Sequence, residues 1–197
     1  MINQSSILET IHMLEHENLD IRTSTLAISL LDCVSEDADR VAEKVYKKIT
    51  GLGKDLVKTA NAVGAKYGVS IVNKRISVTP VSLLLPDGSV EDFIKIAKAL
   101  DKAAIEIGVD FVGGFSALVH SGMTPSEENL IRAIPQALAS TEKVCASVNV
   151  GSTKSGLNMN AVALMGEMIK EAAALSKDAD SIACAKLVVF ANAVEDN

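Results

Sequence analysis

The sequence predicts an α/β protein built on a five-stranded parallel sheet with crossover helices. Three observations predict it. Strand-like and helix-like apolar runs alternate along the chain, several helices open on clear caps, and several strands are two-faced.

Ser6-Ile7-Leu8-Glu9 fits a capping box and opens a short helix running to about Glu17. Ile21 to Leu31 reads as the first strand. Ser35, followed by Glu36 and Asp37, starts a long helix with acids where the helix dipole favours them. Val41, Val45, Ile49, Leu52, Leu56 and Val63 keep one apolar face on it, and Gly51 and Gly53 mark a bend. Val69 to Val78 is the second strand, and Pro86-Asp87-Gly88 is a turn. Ser89-Val90-Glu91-Asp92 caps a helix to about Ile107, and Phe111 to Val119 is the third strand. Thr124-Pro125-Ser126-Glu127 is the best start signal, a cap with proline at the first helical position; Pro135 is expected to kink or end that helix. Val144 to Val150 is the fourth strand, Met159 to about Leu175 a helix, and Ala183 to Ala191 the fifth strand.

Strands covered by helices on both faces are apolar throughout. Here Leu26, Ile28 and Leu30 alternate with Thr23, Thr25, Ala27 and Ser29. Asn73, Arg75 and Ser77 oppose Val72, Ile76 and Val78, while Cys145, Ser147 and Asn149 oppose Val144, Ala146, Val148 and Val150. Period-two alternation puts each set on one side. Helices are expected on the apolar side, and the small polar side reads as an interior or a meeting surface. With no repeat or linker in 197 residues, a single domain is expected.

Composition narrows the function. Aromatics are scarce, with no Trp, two Tyr and four Phe, so stacking platforms for bases are hard to build. Net charge is −6 without a basic cluster, which argues against nucleic acid. No apolar run reaches membrane-spanning length and no leader opens the chain, so a soluble cytoplasmic protein is expected. Cys33, Cys145 and Cys184 form no C-x-x-C pair and read as reduced thiols acting as small hydrophobes.

The stretch Gly151-Ser152-Thr153-Lys154-Ser155-Gly156-Leu157-Asn158 lies between a strand and a helix, where open α/β sheets bind ligands. Its glycines allow close backbone approach, and Ser152, Thr153, Lys154 and Ser155 supply donors for an anion. It has the glycine spacing of a P-loop, but Leu157-Asn158 stands where Lys-Ser/Thr belongs. The competing reading is a turn with Asn158 as helix cap. Arg22 and Arg75 lie in or beside strands, and Arg grips carboxylate or phosphate with a planar fork. An internal Asp or Glu would serve Arg75 equally well. His12-Met13-Leu14-Glu15-His16 matches H-x-x-E-H in letters, but zinc needs a third ligand, and a solvated helix face explains it better. Gly114-Phe115-Ser116-Ala117-Leu118 lacks the final glycine of a nucleophile elbow and falls inside a strand.

"NLDIRTSTLAISLLDC" (18–33), "DFVGGFSALV" (110–119), "CASVNVGSTKSGLNMNAVA" (145–163) and "CAKLVVFANAVEDN" (184–197) carry a resemblance along essentially the whole chain. They resemble uncharacterised protein family 0210, of bacteria and archaea. The resemblance implies a fold like that of pyruvate formate-lyase and ribonucleotide reductase: a ten-stranded α/β barrel of two five-stranded parallel halves. It also implies a homodimer, a role in oxygen sensing during sugar metabolism by analogy alone, and a chain that forms the amino-terminal half. Glycyl-radical chemistry requires a carboxyl-terminal glycine loop and a cysteine on a finger loop. Cys145 and Cys184 fall in predicted strands and Cys33 follows one, so no catalytic residue and no cofactor is assigned. The expectation is a small anionic ligand at Arg22, Arg75 and the 151–158 loop; the alternative is an enzyme with catalytic parts outside this chain.

Overall fold

The computed structural model describes residues 4–16 and 21–195, without the side chains of Ser6 and Leu14. α1 (Gln4–Glu15) is followed by β1 (Ile21–Ile28), α2 (Ala38–Gly53), α3 (Leu56–Tyr67), β2 (Ile71–Val78) and α4 (Val90–Ile107). Then come β3 (Phe111–Leu118), α5 (Pro125–Ala139), β4 (Val144–Asn149) and the two-residue strands β5 (Gly151–Ser152) and β6 (Gly156–Leu157). α6 (Met159–Leu175), α7 (Ile182–Ala185) and β7 (Leu187–Phe190) complete the order.

The main sheet is five-stranded and parallel, in the order β1-β2-β3-β4-β7. Each strand lies beside its predecessor in the main sheet, so right-handed crossovers return every connecting helix to the same side. The packing agrees: α2 lies on α4, α4 on α5 and α5 on α6, a single helical layer. Facing that layer, Ile28, Ile76, Val112, Phe115, Val144 and Val148 are buried. On the other side Thr25, Ala27, Arg75 and Ser77 are exposed, and Gly113, Cys145 and Ser147 are half-buried. The two-faced strands expected from alternation are therefore observed, with one face left without a helical layer among the described residues.

Local chemistry explains the helix starts. Ser89 and Thr124 each form a complete capping box, with Asp92 and Glu127 reaching back to the cap. The Ser89 hydroxyl holds the Asp92 carboxyl below its ordinary range. Asp37, rather than Ser35, caps α2 by accepting from the Asp39 and Arg40 amides.

Several boundaries differ from expectation. The long second helix breaks into α2 and α3 just beyond Gly53, and Leu52 and Val63 are exposed rather than on one continuous buried face. α5 runs through Pro135 to Ala139, because burial in the helical layer outweighs one lost backbone hydrogen bond. β1 stops at Ile28, and a 3-10 turn takes Leu31–Cys33. Ala183, Cys184 and Ala185, expected to open the last strand, belong instead to α7 (Ile182–Ala185), so Cys184 is helical. The first helix begins at Gln4, ahead of the expected cap; the Ser6 side chain and the expected end at Glu17 lie outside the described residues.

Gly114 makes the one register shift between β3 and β4. Its φ is 119°, and a Cβ there would stand 2.6 Å from the Val78 carbonyl oxygen. The bulge thus requires glycine. Gly114→Ala is expected to lower stability in urea by about 3 kcal/mol. Gly51→Ala, with nothing near the added methyl, is expected to raise it by about 0.5–1 kcal/mol.

Candidate functional site

The face without helices is concave. A hollow of about 460 Å³ there is lined by Thr25, Arg75, Ser77, Phe111, Cys145 and Ser147, among others. Strand register explains the grouping. Arg75 lies between Thr25 on β1 and Phe111 on β3, and one step along, Ser77 lies beside Gly113, which lies beside Cys145. The Arg75 guanidinium carbon sits 5.3 Å from the Phe111 ring centroid, a cation–π contact that holds the side chain over the sheet. Among the described residues, no carboxylate lies within ion-pair distance of Arg75.

Cys145 shares this hollow. Burial pushes its thiol above the ordinary range, against the pull of the Lys186 and Arg75 charges. The hollow also reaches Lys186, whose role is structural. Its ammonium is buried and donates to the carbonyls of Leu138 (2.7 Å) and Thr141 (2.6 Å). Leu138 is in the last turn of α5, where a cation satisfies open carbonyls and meets the favourable end of the helix dipole. Burial lowers the affinity of Lys186 for its proton.

The loop after β4 folds as a tight hairpin of β5 and β6. Most of its amides already have partners. The Gly151 amide donates to Asn149 Oδ1 (3.2 Å), Thr153 to the Ala193 carbonyl (2.9 Å), Ser155 to Ser152 Oγ (2.9 Å) and Asn158 to the Val150 carbonyl (2.8 Å). The Asn158 side chain caps α6 by accepting from the Ala161 amide at Oδ1, and its Nδ2 donates to the Val119 carbonyl. Gly151 and Ser152 are buried; Thr153, Lys154, Ser155 and Gly156 are exposed at the turn.

The expected site residues do not converge. Arg75 lies level with the start of β3, whereas the hairpin follows the end of β4, roughly 20 Å further along the strands. Arg22 is exposed on β1, and alternation puts it on the side of Leu26 and Ile28, opposite Arg75. His12 and His16 share the exposed side of α1, with ring centroids 5.0 Å apart.

A second polar cluster escaped sequence reasoning. His120 Nε2 stands 3.0 Å from Glu195 Oε1, and Asn149 Nδ2 stands 3.4 Å from His120 Nδ1. Because Asn149 Oδ1 takes the Gly151 amide, its NH₂ faces the imidazole. A neutral His120 therefore accepts at Nδ1 and donates from Nε2 to Glu195. The tail pairs along β5, with Ala193 N donating to the Gly151 carbonyl (3.2 Å), and this brings Glu195 to His120. The alternation of β4 placed Asn149 on the polar side, but no local pattern announces Glu195.

A family model described as "Uncharacterised ACR (DUF711)" matches residues 12–197. A UPF0210 protein of Methanococcoides burtonii is 55% identical over 197 residues, covering 100% of this chain and 44% of the relative. One from Lachnospira eligens is 58% identical over 199 residues, again 100% and 44%. One from Listeria monocytogenes is 55% identical over 193 residues, 98% and 43%. The chain thus spans less than half the length of these relatives. Among the described residues no helix is long and apolar enough to cross a membrane.

Lys186→Met is expected to cost about 1–3 kcal/mol in denaturant melts, because two buried carbonyls lose their donor. The native amine gives up its proton before the unfolded one does. The unfolded state then binds more protons, so the wild type gains on the variant as pH rises through the lowered value toward 10.5.

Proposed function

The chain belongs to the UPF0210 family of uncharacterised proteins, and we propose that it binds a small anionic metabolite on the open face of its sheet. Arg75 carries this reading. It is a permanent cation held over a polar hollow, with no carboxylate partner among the described residues. Thr25, Ser77 and Ser147 surround it with hydroxyls that satisfy the remaining oxygens of a carboxylate or phosphate. The 151–158 hairpin, with Lys154 in its exposed turn, is a second contact for polar ligands, and Arg22 a third; both lie outside the hollow.

In this reading the open face is an interior. The remaining part of a full-length family member covers it and completes a ten-stranded barrel, so that Arg75 and its ligand are shielded from water. A cytoplasmic homodimer with a sensory or regulatory role, in oxygen and sugar metabolism by family analogy, belongs to the same proposal. The alternative is an enzyme like pyruvate formate-lyase, with catalytic parts outside this chain. Cys145 lies within β4 rather than on a finger loop, which favours binding over that chemistry.

Calorimetric titration of the product of the whole reading frame against inorganic phosphate and small mono- and dicarboxylates tests the proposal. Arg75→Met is expected to weaken the best ligand at least about tenfold, and Lys154→Met to weaken it less. Unchanged affinity in Arg75→Met removes Arg75 from the site.

A further inference from the structure

A different surface, at the edge of the sheet, carries an inference of its own. Among the described residues β7 has a strand neighbour on one side only, β4. On the helical side of the sheet its Leu187 and Val189 are only half-buried. With Ile169 of α6 and Cys184 of α7 they line an apolar groove of about 250 Å³. α6 adds to it: Val162 and Ile169 are 36% and 41% exposed, and Ile182 of α7 is 50% exposed. α4 and α5 each have a helix on both flanks within the layer, whereas α6 is flanked by α5 alone among the long helices of that layer.

Topology says what fits there. The helices that follow β1, β2, β3 and β4 return to one side, each packed against the previous one. A right-handed crossover from β7 to a further parallel strand at its open edge lands its helix on that side, next to α6 and over Leu187 and Val189. The relatives are more than twice as long as this chain, so the family has polypeptide to place in the groove.

We propose that this groove is the seat of an amphipathic helix from the same polypeptide, beyond residue 197, that returns from β7 and extends the helical layer. The helix presents apolar residues to Ile169, Leu187 and Val189, and it buries Cys184. The inference does not rest on ligand binding at Arg75.

Thiol labelling of the whole reading-frame product with N-ethylmaleimide, read by peptide mass spectrometry, tests it. Cys184 reports on the groove, Cys145 on the open face, and buried Cys33 is the protected control. Cys184 is expected to resist labelling at every protein concentration, and Ile169→Ser to speed its labelling at least about tenfold while Cys33 stays protected. Rapid Cys184 labelling in the native protein overturns the proposal. Protection that is lost on dilution overturns it too, since a second copy then fills the groove. So does a reading frame that ends at residue 197. Cys145 labelling bears separately on the covered open face, so the two proposals fail independently.

Discussion

A parallel sheet whose connections all return to one side buries only one of its faces beneath its own helices. That constraint organises this molecule. The order β1-β2-β3-β4-β7 moves in one direction across the sheet, and right-handed crossovers then gather α2, α4, α5 and α6 into one layer. Beneath that layer the strands bury Ile28, Ile76, Val112, Val144 and Val148. The same strands, through period-two alternation, must present their other residues to whatever lies opposite. Thr25, Arg75, Ser77, Cys145 and Ser147 are the consequence, and the functional proposal grows from them.

Supporting details hold that arrangement in place. The Gly114 bulge lets β3 pass close to the Val78 carbonyl while keeping both faces in register beyond it. Lys186 ties the start of β7 to the end of α5, at the cost of a buried ammonium with carbonyl partners rather than a carboxylate. At the carboxyl end of the sheet, Asn149, His120 and Glu195 join β4, the end of β3 and the tail. None of these contacts uses Arg75.

Much of the fold was legible because its signals are local. The capping boxes at Ser89 and Thr124 depend on residues three apart, and the two-faced strands depend on residues two apart. What was illegible depends on tertiary packing. Of the expected six-residue stripe from Val41 to Val63, Leu52 near the end of α2 and Val63 in α3 are exposed, while Val41, Val45, Ile49 and Leu56 pack on the core. The apolar run from Ala183 does not distinguish a strand from one helical turn, and packing against α6 makes its first residues α7. Arg75 could be named from sequence, but its separation from the 151–158 hairpin follows from strand register. The His120–Glu195 contact follows from a tail that runs on from β7, parallel to β5.

The central claim is that Arg75 meets an exchangeable anion rather than a fixed internal carboxylate. The side-chain Nε–H signal of Arg75, followed by NMR in the whole reading-frame product during titration with inorganic phosphate and small carboxylates, tests this most directly. The expected result is a signal that moves and saturates with one class of anion. A signal that is immobile with every anion, and that shifts only when an Asp or Glu elsewhere in the chain is neutralised, contradicts it. Arg75 would then be half of a structural ion pair.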